Sequence, residues 1–165
     1  YNQGKIGKSE LNFLEKIISN SIQIINLENI EINPKKNVIV ISADYQSSLL
    51  AEAASASFHT DGWQVFSLGD MSSAIDVLFD LDLQKFVAKI WKSRIGIMII
   101  VVFSSTEDGL KFFAESINSI KSKFRRNLYL ALCGDIKKNT VIKADLMGEN
   151  LETTLQWSQT TFESS

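Results

Sequence analysis

The sequence has one cysteine, one proline and one histidine among its 165 residues. With Cys133 alone, the chain can form neither an internal disulfide nor a cysteine-based metal cage. His59 is the only histidine and no Ser-His-Asp order is present, so a hydrolase triad is not indicated. The longest apolar run, from Ile95 to Phe103, is far shorter than a membrane span and contains Gly96. We therefore expect no membrane partner.

Neither sign of charge is in excess. The 17 basic and 19 acidic side chains are mixed along the chain and leave a net charge of −2. Because this balance creates no broad positive field, direct binding to nucleic acid is not expected. The basic segment from Ile120 to Arg126 is typical of the C-terminal end of a helix, where cations are favoured. The chain begins with Tyr1 and has no apolar signal region, from which we expect a cytoplasmic domain of a longer protein.

An amphipathic helix is predicted over residues 8 to 30, with Ser9 as its cap. Its apolar side chains are too many for one stripe, so we expect one side to pack on the domain and the other to contact another protein or a second copy. They are Leu11, Leu14, Ile17, Ile18, Ile22, Ile24, Ile25 and Leu27. Pro34 then indicates a linker. We therefore divide the chain into an N-terminal helix with its linker, residues 1–33, and a domain, residues 34–165.

Strands and helices alternate from residue 37 onward. We predict strands at roughly 37–43, 63–68, 95–103 and 128–133, a fifth near Val141 and Ile142, and helices at about 47–60, 79–92, 107–124 and 149–160. Near-continuous apolar runs are typical of parallel strands covered on both faces. The alternation predicts a doubly wound α/β fold with a mostly parallel sheet. Together with the segments Gly62-Trp63 to Leu68-Gly69 and Ala144-Asp145, it predicts a flavodoxin-like (Rossmann-like) fold with five strands in the order 2-1-3-4-5. The stretch from Asp70 to Asp80 is predicted to form an irregular lid beside the second strand.

A buried strand ends in Asp44-Tyr45-Gln46-Ser47-Ser48, an Ala-rich helix follows, and the segment from Gly62 to Gly69 ends in Leu-Gly. This order resembles the opening of cobalamin-binding domains, in which a strand ends in Asp-x-His-x-x-Gly. The resemblance extends to about residue 160. It implies a degenerate member, because Gln46 and Leu49 stand at the family's His and Gly positions.

Two later segments depart from the same family pattern. Ser104-Ser105-Thr106 stands where the family has Ser-x-Leu, and Gly134-Asp135 stands where a Gly-Gly pair lets the nucleotide tail approach the backbone. The resemblance therefore implies the scaffold without cobalt ligation, and cobalamin is not the expected cofactor. It suggests instead a regulatory sensor or protein-interaction domain in signal-dependent transcriptional control, because one subgroup of such domains senses haem in antirepressors of photosynthesis genes. The cofactor is left unassigned, with haem or another tetrapyrrole as the candidate.

Ligands of open α/β sheets bind beyond the carboxyl ends of the strands, where three segments of this chain converge. The candidate ligand-binding residues are Asp44, Tyr45, Gln46, Ser47, Ser48, Ser104, Ser105, Thr106, Gly134 and Asp135. Helix capping is the competing explanation for Asp44, Ser47, Ser104 and Thr106. His59 is a weak candidate for a metal ligand. Its place near the far end of a helix predicts a solvent-facing side chain instead.

Two other interpretations stay open. A phosphorylation-dead pseudo-receiver would share the alternation and act by protein contacts, since Ser104 and Ser105 follow the third strand where a receiver needs an Asp. A corrinoid-binding methyl carrier would keep the family's chemistry. Enzymatic readings through a Cys133 nucleophile or Asp44 with Asp135 lack a supporting motif, since no Gly-x-Gly-x-x-Gly or P-loop follows a strand. We therefore expect no enzyme.

Overall fold

The computed structural model describes residues 8–25, 30–74, 79–134, 142–148 and 150–165. Its helices are α1 (Lys8–Ile25), α2 (Ser48–Thr60), α3 (Phe79–Ile90), α4 (Glu107–Lys121) and α5 (Leu151–Glu163). Its strands are β1 (Asn33–Ser42), β2 (Trp63–Asp70), β3 (Ile97–Phe103), β4 (Leu128–Cys133) and β5 (Leu146–Gly148). Short 3₁₀ turns span Tyr45–Ser47, Ser72–Ala74 and Ser122–Asn127. Among the described residues, no helix combines the length and apolar character that crossing a membrane requires.

The five strands form one sheet in the order β2-β1-β3-β4-β5, and every neighbouring pair is parallel. This confirms the predicted flavodoxin-like architecture and strand order. All seven residues of β3 are buried, because a central strand is covered on both faces. Helices α2 and α5 pack on one face of the sheet, and helices α3 and α4 pack on the other. The carboxyl ends of β1, β3 and β4 therefore meet at one edge.

Strand β1 begins at Asn33, so the prediction of a linker at Pro34 is wrong. Its pairing with β2 shifts between Asn33 and Asn37, and its pairing with β3 begins only at Lys36. Pro34 thus lies in an irregular start of the strand, where its missing N–H interrupts no regular ladder. The division of the chain at residue 33 stays a prediction.

Three other predicted boundaries differ from the structure. The fifth strand is Leu146–Gly148 and not the predicted segment near Val141 and Ile142. Val141 lies outside the described residues, and Ile142 is not part of a strand. A three-residue strand is too short to show a period in the sequence. Helix α1 ends at Ile25 among the described residues, since 26–29 are not described and Ile30 is not helical. The predicted lid falls on the end of β2, the turn Ser72–Ala74 and residues 75–78, which lie outside the described part.

Candidate functional site

The strand-end edge is held together by hydrogen bonds that continue the sheet into its loops. The Ala43 N–H donates to the Phe103 carbonyl at 2.8 Å, and the Ser104 N–H donates to the Cys133 carbonyl at 3.1 Å. The Met71 N–H donates to the Ser42 carbonyl at 2.8 Å. The loops that follow the strands are consequently in register with one another.

The Asp44 carboxylate is the centre of this edge. Its Oδ1 accepts the Ser47 N–H at 3.0 Å and the Ser47 hydroxyl at 2.9 Å. Its Oδ2 accepts the Ser104 hydroxyl and the Ser105 N–H, both at 2.8 Å. One side chain therefore joins the loop after β1 to the loop after β3, and four donors are committed within the protein.

The pKa of Asp44 is lowered from 3.8. Burial is the largest single influence and raises the pKa, but it is outweighed by the hydrogen bonds from the Ser105 backbone and the Ser104 and Ser47 side chains, which favour the charged form. Asp44 is thus an anion at neutral pH. Among the described residues no basic side chain forms an ion pair with it, and its charge is stabilised by the dipoles of the N–H and hydroxyl groups that donate to it.

The exposed side chains of Tyr45 and Gln46 make none of the hydrogen bonds described above. They lie on the 3₁₀ turn Tyr45–Ser47, which Asp44 caps at its start, and the Ser48 N–H donates to the Tyr45 carbonyl at its end. Tyr45 is 77% exposed and Gln46 is also exposed. A large aromatic side chain is thereby presented to solvent from a turn that is fixed at both ends.

The loop after β3 combines a helix cap with close packing. The Thr106 hydroxyl accepts the Gly109 N–H at 3.2 Å and caps α4, as the sequence predicts. The Ser104 hydroxyl accepts the Thr106 N–H at 3.1 Å. A Cβ added to Gly109 would lie 2.5 Å from the Ser104 Oγ, so this loop has no room for a larger residue at 109.

Gly134 touches the backbone of the neighbouring loop. A Cβ placed on it would lie 2.3 Å from the Ser104 carbonyl oxygen and 3.1 Å from Leu110 Cδ1. The resemblance assigns glycine at this position to the approach of a nucleotide tail. In the described residues, the contact between the two loops is itself sufficient to require glycine.

Cys133 lies beneath this edge. Its Sγ is 3.0 Å from the Thr154 Oγ1, and burial raises the pKa of the thiol to about 11. The thiol stays protonated at neutral pH, whereas a nucleophilic cysteine requires a lowered pKa and access. Cys133 is therefore a packing residue.

His59 is not fully solvent-facing, and that prediction is wrong. The residue is half-buried, and its Nε2 has neither solvent contact nor a hydrogen-bond partner among the described residues. The stripe that contains Glu52 and His59 faces α1, since the Ser19 hydroxyl donates to Glu52 Oε2 at 2.8 Å. His59 is eleven residues beyond Ser48, about 16 Å along α2 from the strand-end edge. It is thus remote from the candidate site.

The structure brings together nine of the ten predicted ligand-binding residues, while Asp135 lies outside the described part. Tyr45, Gln46, Ser105 and Thr106 are exposed, and Asp44, Ser48 and Gly134 are half-buried. Ser47 and Ser104 are buried and bonded to Asp44, so their hydroxyls are used inside the protein. Of the four predicted caps, Ser47 makes no side-chain cap bond to α2.

Ser42 also supports the site, and the sequence interpretation missed it. It is buried, its hydroxyl donates to the Asp44 carbonyl, and its Oγ is 3.5 Å from the Ser48 Oγ. The available signal was a single polar residue near the end of an otherwise apolar strand. A hydroxyl there can fix the direction in which the chain leaves the sheet.

The residues present do not fit a corrinoid held through a protein imidazole. At the ligating position Gln46 offers an amide, whose oxygen suits harder cations than those that imidazole binds. The described residues contain no group of three or more His, Cys, Asp or Glu side chains that could hold a metal ion. Asp44 is already saturated by donors from its own protein.

No family model matches the sequence, and no curated protein matches it. Among solved structures, the Methanosarcina barkeri monomethylamine corrinoid protein is similar, with a TM-score of 0.63 and 13% sequence identity. The match covers 100% of this chain and 75% of that chain. At this identity the likeness shows the fold alone. The chain has a cobalamin-binding-domain-like fold.

Proposed function

We propose that this chain is a non-catalytic regulatory module that binds a flat tetrapyrrole, such as haem, over the strand ends without a bond from this domain to the metal. The observation that carries the proposal is the exposed Tyr45 on its fixed turn. A side chain held in this way can stack on a planar ligand with little loss of conformational freedom on binding. The fold supports a ligand at this edge, because open α/β sheets bind there.

The hydrogen bonds within the site limit the groups that can contact such a ligand. The N–H groups of Ser47 and Ser105 already donate to Asp44, and the Thr106 hydroxyl already caps α4. Ligand carboxylates therefore have few free backbone donors at this edge, and the Asp44 anion opposes them. Stacking on Tyr45 and hydrogen bonds from the Gln46 amide are the contacts that remain available.

The absence of a catalytic role is part of the same proposal. The buried thiol of Cys133 is protonated, and Asp44 is ionised and fully bonded, so neither is poised to exchange a proton or attack a substrate. A ligand that covers Tyr45 changes the surface that these loops present to another protein. That is the behaviour expected of a signal-responsive domain.

Tyr45→Ala is expected to weaken haemin binding by about tenfold, which is the loss of one aromatic stacking contact. Tyr45→Phe keeps the ring and should bind like the wild type. The measurement is a titration followed by the Soret absorbance. Ile95→Ala is the matched control, because Ile95 is also exposed, at 52%, but precedes the opposite end of β3.

If the wild type and Tyr45→Ala bind haemin with equal affinity, the ligand does not bind over these strand ends. A parallel titration with hydroxocobalamin separates the corrinoid alternative, since a bound corrinoid gives a stable spectrum of its own. If neither compound binds, the pseudo-receiver alternative, acting by protein contacts alone, replaces the proposal.

A further inference from the structure

Helix α1 uses one side to pack on α2. Leu11, Glu15 and Ser19 are half-buried and Ile22 is buried, and these positions share one face of the helix. The hydrogen bond from the Ser19 hydroxyl to Glu52 fixes this side against α2. The other side chains of α1 whose burial the structure describes are exposed.

The side opposite α2 carries a row of exposed residues, which we call the α1 seam: Phe13, Ile17, Asn20 and Ile24. Phe13 is 65% exposed, Ile24 is 68% exposed, and Ile17 and Asn20 are also exposed. Their spacing of four, three and four residues is that of the inward positions of a coiled coil. Leu14 and Ile18, both exposed, widen the apolar surface on one flank.

We propose that the α1 seam pairs with the α1 seam of a second copy of this chain in a parallel two-stranded arrangement. Asn20 supplies the argument for a second copy, because an amide both donates and accepts and can therefore pair with itself across a two-fold axis. Asn20 lies at a d position of the seam, and burying its amide there disfavours registers that set it against an apolar side chain. The β-branched Ile17 and Ile24 occupy the alternate layers, where such residues favour two strands.

The area and the placement of the seam agree with this pairing. In a two-stranded pair the four seam residues point inward and Leu14 flanks them, whereas Ile18 lies at an outer position. Two copies of the seam with Leu14 and their polar rims bury on the order of 1,000 Å² in total, the lower bound for a specific interface. The seam lies opposite the side that packs on α2, so the two domains stand clear of each other. A lipid surface fits less well, because membrane-surface helices are rich in Lys and Arg, and Lys16 is the one basic residue of α1 beyond its first turn.

The first test is the mass of the full chain by light scattering and sedimentation at concentrations up to about 100 µM. The wild type is expected to be a dimer, and Ile17→Glu is expected to weaken dimerisation by about 30-fold or more, because it buries an unpaired charge in the seam. Leu81→Glu is the control, since Leu81 is 50% exposed on α3 and away from the seam. A circular dichroism spectrum equal to that of the wild type shows that Ile17→Glu is folded.

A cross-link tests the orientation. In a parallel pair the two Ile24 positions meet, so Ile24→Cys should form an intermolecular disulfide with oxidised glutathione, whereas an antiparallel pair separates them by roughly 18 Å. Cys133 is buried and does not compete. A monomeric wild type, or a dimer unaffected by Ile17→Glu, overturns the proposal. A dimer without the cross-link overturns the parallel arrangement, and a monomer that sediments with anionic vesicles assigns the seam to a membrane.

Discussion

Asp44→Ala is expected to lower the free energy of unfolding by about 2 to 3 kcal/mol, because two backbone N–H groups and two hydroxyls lose a charged acceptor. The Ser105 N–H then has to find water, and the Ser47 N–H keeps only its longer bond to the Asp44 carbonyl, at 3.2 Å. The measurement is urea unfolding followed by circular dichroism. Asp70→Ala is the matched control, since the exposed Asp70 carboxylate accepts only the Ser72 N–H among the described bonds and its loss should cost less than about 1 kcal/mol.

The same contribution should depend on pH. Because the folded pKa of Asp44 is lowered from 3.8, its stabilisation is present above that value and is lost as the pH falls through the folded pKa. The wild type should therefore lose stability more steeply than Asp44→Ala below about pH 4. Parallel stability curves for the two proteins in this range would contradict the role assigned to the carboxylate.

Gly134→Ala is expected to cost about 3 kcal/mol, because the new Cβ would lie 2.3 Å from a backbone oxygen and no side chain can move to relieve it. Relief requires the two loops to separate, which breaks the bond from the Ser104 N–H to the Cys133 carbonyl. Gly69→Ala is the comparison. Gly69 has a φ of +65° and no neighbour within 4 Å of the added Cβ, so only backbone strain of about 1 kcal/mol is expected.

Gly134→Ala also distinguishes two roles of the glycine, which are to allow the contact between the two loops and to allow a ligand to approach the backbone. If the glycine is required by the contact between loops, the variant is destabilised without any ligand present. An unchanged free energy of unfolding combined with lost haemin binding would show that the position serves the ligand instead. That outcome would restore the role that cobalamin-binding domains give to this glycine.

The parallel sheet could be predicted because β1, β3 and β4 are nearly continuous apolar runs separated by helical periods, and its order followed only with the Gly62-Trp63 to Leu68-Gly69 and Ala144-Asp145 segments. Boundaries were predicted less well where local rules compete with the neighbouring strand. Pro34 indicates a break in isolation, but the first residues of β1 can pair irregularly with β2 alone. The three residues of β5 are defined by pairing with β4, which no local pattern records.

The location of the candidate site could be predicted, but not the use of its donors. Asp44, Ser47 and Ser104 follow strand ends, and their convergence follows from the parallel topology. Their hydroxyls can bind either a ligand or the Asp44 carboxylate. Which of the two they bind depends on distances between segments sixty residues apart, and these distances cannot be read from the sequence. The partial burial of His59 was not predicted for a similar reason, because its stripe on α2 is the one that faces α1.

The most direct test of the proposed function compares haemin with metal-free protoporphyrin IX as ligands of the full chain. Both offer the same flat ring, and only haemin offers a metal to a protein ligand. If the ligand is held by Tyr45 and Gln46 without a metal bond, the two dissociation constants should agree within about threefold, less than 1 kcal/mol. Binding of haemin with no binding of protoporphyrin IX would show a metal bond from this chain and contradict the proposal.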